Sequence, residues 1–256
     1  MTRLSAGTRI IADTRIIFGR YARQTLGSWM ALLFGLLQPL LFLVFFGPLL
    51  RKVPLGGGDS WQTLVPGLMI QLGLFSSAFA GFSIILEKRH GVIERMRVTP
   101  VSRLALLLGR LLRDVLQLLV QSLLLVLTGF AFGLRAPLPG VALGFLFVGM
   151  LAMSLASLSY ALAMRVATPQ EFAPVVNAVN LPAMLLSGIL LPMALAPAWL
   201  DVVSHFVPFR YLVDAVRAAF TGNYGGGEVT LGALVSVLLA AVSMTLGTHV
   251  FRRTGA

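Results

Sequence analysis

The stretch VALGFLFVGMLAMSLASLSYALA, Val141–Ala163, decides the fold. It contains neither a charged residue nor a proline. At about 1.5 Å of helical rise per residue, such a run crosses the roughly 30 Å hydrocarbon core of a bilayer. Five more segments read the same way: Trp29–Leu50, Leu64–Leu86, Val115–Leu134, Ala173–Leu195 and Leu231–Phe251. None of them alternates polar with apolar residues, which argues against a β-barrel. The expected fold is an all-α integral membrane protein. It has six transmembrane helices in a single domain over residues 1–256.

Composition agrees. The 256 residues are 57% hydrophobic and 11% charged, and mean hydropathy is +0.90. Soluble domains carry about 25% charged residues, so an ordinary cytosolic enzyme is excluded. So is a disordered chain. The absence of cysteine excludes thiol chemistry and a disulfide scaffold.

The net charge of +11 would suggest nucleic acid in a soluble protein. Here it reports topology. With the N-terminus cytoplasmic, the inside holds Arg3, Arg9, Arg15, Arg20, Arg23, Lys88, Arg89, Arg95, Arg97, Arg103, Arg110, Arg113, Arg165, Arg252 and Arg253. The outside keeps only Arg51, Lys52, Arg135, Arg210 and Arg217. The acidic residues divide almost evenly, so nearly all the excess positive charge lies inside. By the positive-inside rule both termini are expected in the cytoplasm, and no nucleic-acid partner is expected.

The first 28 residues do not read as a signal peptide, because Arg and Asp13 interrupt the apolar run. At helical spacing Ile10, Ile11, Ile17, Phe18 and Tyr21 share one face, and Arg9, Arg20 and Arg23 the other. This predicts an amphipathic helix in the membrane interface. The plainer alternative is a basic leader that only sets topology.

The segment 87–103 runs EKRHGVIERMRVTPVSR. Glu87 and Glu94 are two helical turns apart and project from one face. Thr99-Pro100 fits an N-cap followed by proline at the first helical position. Ordered punctuation in a long polar segment suggests a docking surface for a soluble partner. A solvated charged loop would share the composition.

Near the fifth span, Pro174, Pro182, Pro192, Pro197 and Pro208 interrupt the helical pattern. Proline removes a backbone donor, so an intramembrane proline needs protein or a cavity beside it. Beyond Pro208, Arg210, Asp214 and Arg217 fall on one face of a short amphipathic helix, with Tyr211 beside them. The segment 196–228 is expected to carry short re-entrant helices half-sunk in the outer leaflet.

Enzyme chemistry is missing from the pattern. Walker A requires Gly-Lys-[Ser/Thr], and neither Lys52 nor Lys88 stands in that context. There is no HExxH and no G-x-S-x-G. The three histidines, His90, His205 and His249, lie on different segments. No catalytic residue, metal site or cofactor is expected in this chain.

The residues Glu87, Gly91, Glu94, Thr99, Pro100, Ser102 and Arg103 resemble the signature of type-2 ABC-transporter permeases. The likeness is to the bacterial drug-resistance and daunorubicin-exporter-like transmembrane subunits. Ser187-Gly188 with Pro192, then Pro208, Tyr211, Asp214 and Arg217, extends it to the far end of the chain. The resemblance implies a permease dimer, homo- or heteromeric, with each permease docked on a separate ABC ATPase subunit that binds ATP and Mg. It implies coupling through Glu87, Gly91, Glu94, Arg95, Thr99 and Pro100 and through the N-terminal helix. It implies an outer gate at Pro192, Pro208, Tyr211, Asp214 and Arg217. It also implies residence in a bacterial plasma membrane, among its lipids.

Three polar or aromatic stripes could line a path. Phe75, Phe79 and Phe82 share a face with Gln71 in the second span. Asp114, Gln117, Gln121 and Thr128 share one in the third, with Arg110 and Asp114 spaced as an ion pair. Asn177, Asn180, Met184 and Ser187 share one in the fifth, the preferred path because proline disrupts its backbone. For each stripe, helix packing is the simpler reading. The expected function is ATP-driven export of a hydrophobic drug, lipid or lipid-linked molecule. Alternatives are a glycan or glycolipid exporter of the same class and an ATP-independent secondary transporter. The last would need midplane charges that the spans lack.

Overall fold

The computed structural model describes residues 6–50, 60–89, 103–166, 168–190 and 192–253. The regular elements among them are all helical. They are α1 (Ala6–Gly27), α2 (Trp29–Leu50), α3 (Ser60–Ala78), α4 (Phe82–Arg89), α5 (Arg103–Ala131) and α6 (Leu138–Arg165). Then come α7 (Pro169–Leu186), a 3-10 turn (Met193–Leu195), α8 (Ala198–Ser204), α9 (Pro208–Phe220) and α10 (Gly227–Arg253).

Five stretches are long and apolar enough to cross a membrane: Leu32–Leu50, Ser60–Lys88, Ala105–Ala131, Leu138–Arg165 and Gly227–Val250. They coincide with five of the expected spans. The remaining one, Ala173–Leu195, is helical only as far as Leu186. Gly188 then adopts a left-handed φ of 68°, which turns the chain out of the helix, and Pro192 follows. Two prolines inside α7, Pro174 and Pro182, each remove a helical hydrogen bond.

The second expected span is also not continuous. It breaks into α3 and α4 at residues 79–81, where the backbone turns through three-residue hydrogen bonds such as Phe82 N–H to Phe79 O at 3.0 Å.

α3 is the central helix. It is apolar nearly all round and buried nearly all round, as such a helix should be. It packs against α2, α5, α6 and α9. In lipid this association rests on close packing rather than on release of water. Small residues permit the close approach: a Cβ on Gly67 of α3 would lie 1.9 Å from the carbonyl oxygen of Ile189. A second, smaller core under α4 gathers Ile84, Ile85, Leu107, Leu111, Tyr160 and Phe172. The outer faces of α2 and α10 stay apolar and open, with Phe34 and Phe45 each 69% exposed. A bundle sheathed this way is a multi-pass membrane protein.

α1 lies along α5. Arg20 and Arg23 are exposed, whereas Ile17, Phe18 and Tyr21 turn inward. Ile11 differs from the expected apolar face and is 72% exposed.

α9 departs from the half-sunk helix that its sequence suggests. Leu212, Val213, Ala215, Val216, Ala219 and Phe220 are buried against α3, α6 and α10. Its apolar faces are consumed by the bundle.

Candidate functional site

The last turn of α4 ties four elements together. Glu87 forms an ion pair with Arg110 of α5. Tyr21 of α1 donates to the Glu87 carboxylate at 3.5 Å and accepts from Arg110 at 3.4 Å. The Tyr21 ring also lies under the guanidiniums of Arg110 and Arg113, 5.7 and 5.9 Å from its centroid. Lys88, the next residue of α4, donates to the carbonyls of Met164 and Ala163 at 2.9 and 3.3 Å. Those carbonyls end α6 and have no helical partner of their own, so the ammonium is well placed there.

The expected Arg110–Asp114 ion pair is not formed. Arg110 turns to Glu87, while Asp114 pairs with Arg113 at 3.2 Å and accepts from the Tyr160 hydroxyl. Adjacent partners from α4 and α6 outcompete the pair within one helix. Of the expected coupling residues, Glu87 lies among the described residues, in this junction. Gly91, Glu94, Arg95, Thr99 and Pro100 lie outside the described residues.

Directly above this junction is the α3–α4 break. Breaking a helix strands donors and acceptors where lipid offers none. Ser159 of α6 supplies both. Its hydroxyl donates to Ala78 O at 2.5 Å and accepts from Gly81 N–H at 2.8 Å. Phe79 sits at the break and meets Phe172 of α7 edge-on, with centroids 6.5 Å apart.

The three stripes have different fates. Asn180 and Ser187 are buried and bonded to backbone, Asn180 to Leu74 O at 3.3 Å and Ser187 to Ala183 O. Asn177 is half-buried, and Met184 borders an apolar cleft with Pro192 beside the 3-10 turn. Gln71 and Phe75 instead meet Gln117 and Gln121 across a cleft between α2, α3 and α5. The second- and third-span stripes therefore share one surface.

At the opposite end of the bundle, Arg210 bridges Asp201 at 2.7 Å and Asp214 at 3.6 Å. The spacing alone put one Asp between two Arg; the fold puts one Arg between two Asp. Arg217 is released to donate to Thr63 O at 3.1 Å and Ile189 O at 2.9 Å. It joins α9 to the start of α3 and to the turn after α7. Burial lowers the Arg217 pKa to about 10, so it stays charged at neutral pH, and burial raises that of Asp214. Tyr211 donates to His205 O at 3.0 Å, and Pro208 opens α9.

Sequence reasoning missed Ser159, Tyr160 and Lys88. Ser159 is one of three serines in an apolar helix, and nothing in the sequence marks it as the one that serves the broken backbone. No cluster of His, Asp or Glu suited to a metal ion occurs among the described residues.

A family model described as ABC-2 type transporter matches residues 12–221, most of the chain. The chain belongs to the ABC-2 type transporter family. ABC-2 members are the permease subunits of ABC transporters, which work with separate ABC ATPase partners.

Curated relatives fit this ABC-2 assignment. A daunorubicin resistance ABC transporter permease, DrrB1 of Streptomyces coeruleorubidus, is 27% identical over 86% of this chain and 79% of its own. A putative transport permease, ycf38 of Cyanophora paradoxa, is 26% identical over 75% and 68% respectively. A probable multidrug permease, YbhS of Escherichia coli, is 27% identical over 73% of this chain and 50% of its own. The resemblance read from segment 87–103 and the far-end prolines therefore holds at the level of family.

Proposed function

We propose that this chain is the membrane half of an ATP-driven exporter. It moves a hydrophobic drug, or a lipid or lipid-linked molecule, out of the cytoplasm or inner leaflet by alternating access. Two permeases pair, as homo- or heterodimer, in a bacterial plasma membrane with six crossings, α7 being the fifth in chain order. Both termini face the cytoplasm. An ABC ATPase docks on segment 87–103 and on α1.

The observation that supports this reading is the Tyr21–Glu87–Arg110–Lys88 junction. Any push on segment 87–103 arrives first at the end of α4. There it meets side chains committed to α1, α5 and α6. A surface loop without a mechanical task would not need a buried carboxylate–guanidinium pair, whose desolvation is costly. The drug-exporter reading draws on the relatives named for drug resistance and for multidrug transport. The 196–228 segment, locked by Arg210 and Arg217, fits the outer gate.

The test is reconstitution with its partner ABC ATPase. Glu94→Lys should keep insertion and pairing of the permease but uncouple ATP hydrolysis from transport, or prevent docking. Normal transport by that variant would sink the coupling assignment.

A further inference from the structure

The cleft between α2, α3 and α5 has a volume of about 190 Å³. Gln38, Gln71, Ser76, Gln117 and Gln121 line it together with Phe75. None of its lining residues is charged. The glutamines lie well inside the stretches that cross the membrane, Leu32–Leu50, Ser60–Lys88 and Ala105–Ala131. Hydrocarbon there offers no hydrogen bonds.

Gln71 is 1% exposed, and neither its Nε2 nor its Oε1 has a partner in the protein. Gln121 is equally buried. It spends Nε2 on Leu32 O at 3.2 Å and leaves Oε1 unpartnered. Pro39 also lines the cleft and has no N–H, so the Gly35 carbonyl beside it lacks its ordinary helical donor. Gly35 has no side chain to hide that carbonyl: a Cβ there would meet Gln121 Nε2 at 2.5 Å.

Unpaired buried amides are expensive, and polar groups in lipid are kept satisfied. Something outside the chain must satisfy these. It has to offer both donors and acceptors, because Gln71 presents both. It need not be charged, because no countercharge faces it. The space holds one functionalised ring rather than a whole drug, for which pockets of about 300–1,000 Å³ are usual. Gly35 and Gln38 are exposed, so the cleft opens on the flank of α2.

We propose that this glutamine-lined cleft is a substrate subsite that takes the neutral, hydroxyl- and carbonyl-bearing part of an amphipathic molecule from within the membrane. The proposal rests on the export reading above and names the chemistry of its substrate. Gln71 Nε2 donates to a substrate carbonyl. Gln71 Oε1 and Gln121 Oε1 accept from its hydroxyls. Phe75 covers the ring face.

The experiment measures binding to the full chain in phosphatidylcholine nanodiscs, without any ATPase. The probes are 2,6-dihydroxyanthraquinone, whose hydroxyls are remote from its carbonyls and free to donate, and anthracene, the same tricyclic skeleton without hydrogen-bonding groups. Empty nanodiscs give the partition background. The hydroxyquinone should bind saturably and at least tenfold more tightly than anthracene. Each neutral hydrogen bond lost should weaken binding about fivefold. Gln71→Leu should therefore cost at least tenfold and Gln121→Leu about fivefold. Gln38→Leu, at the exposed mouth, places an apolar side chain where lipid tolerates it and keeps the test valid if the buried variants misfold. It should cost about threefold.

Equal binding of both probes, or wild-type binding by Gln71→Leu and Gln38→Leu, would overturn the proposal and leave the cleft to ordered water. Failure of the export reading looks different. Saturable binding of the hydroxyquinone with no ATP-driven transport of any compound would leave the cleft standing and remove its place in an exporter. Transport that proceeds unaffected in Gln71→Leu would remove the cleft and keep the exporter.

Discussion

Ser159→Ala is the sharpest probe of the broken second span. The substitution deletes one hydroxyl that serves two backbone groups, Ala78 O at 2.5 Å and Gly81 N–H at 2.8 Å. Two scales bear on the magnitude. Side-chain hydrogen bonds between membrane helices average about 0.6 kcal/mol, because the unfolded state in lipid finds other partners. A buried donor or acceptor left wholly unmet costs about 1–3 kcal/mol. The second scale applies here, because the groups belong to a turn that has already given up its helical bonds. A loss of about 2 kcal/mol follows, with faster amide exchange confined to residues 79–82. The assay is steric-trap unfolding in bicelles, paired with hydrogen exchange read by mass spectrometry. A loss under about 0.5 kcal/mol with unchanged exchange at Gly81 would refute the idea that Ser159 holds the break. Gly81→Ala should be at least as damaging, since its Cβ would lie 2.3 Å from Ser159 O and backbone would have to move.

Other consequences are equally direct. Glu87→Gln strips the countercharge from Arg110, which is 3% exposed, and should destabilise the α1–α4–α5 junction by about 3 kcal/mol. Thermal unfolding in detergent reads it, and the double variant Glu87→Gln/Arg110→Met should recover part of the loss. Arg217→Met should loosen the α3–α7–α9 corner, since two carbonyls lose their donor at once. Its Tm should fall while affinity for the ATPase stays at wild type. Asp214→Ala removes one of two carboxylates on Arg210 and should lower transport more than stability, because Asp201 still holds the guanidinium at 2.7 Å. Loss of ATPase docking in either variant would place this segment on the wrong side of the membrane.

Much of the fold was legible because bilayer thickness imposes a simple length rule. Val141–Ala163 and Trp29–Leu50 announce themselves by apolar length alone, and α6 and α2 follow. Residues 173–195 satisfied length but not geometry: a left-handed Gly188 ends the helix early. The break at 79–81 is not legible locally, because the hydroxyl that satisfies its backbone lies on another helix, at Ser159. Charge partners were misassigned for the same reason. Helical spacing pairs Arg110 with Asp114, but only the fold brings Glu87 to Arg110 and Tyr160 to Asp114. The glutamine cleft was half legible. Two stripes could be seen separately, but not that they face each other.

ATP hydrolysed by a partner should reach the membrane path through α4, and a distance across the α4–α6 contact reports whether it does. The permease and its partner ABC ATPase are co-reconstituted in nanodiscs, with a spin-label pair spanning α4 and α6. Distances are compared with and without trapped ATP in wild type and in Glu87→Gln. Wild type should show an ATP-dependent shift of α4 that is lost in the variant while the ATPase remains bound. An unchanged α4–α6 distance in wild type on ATP trapping would contradict it.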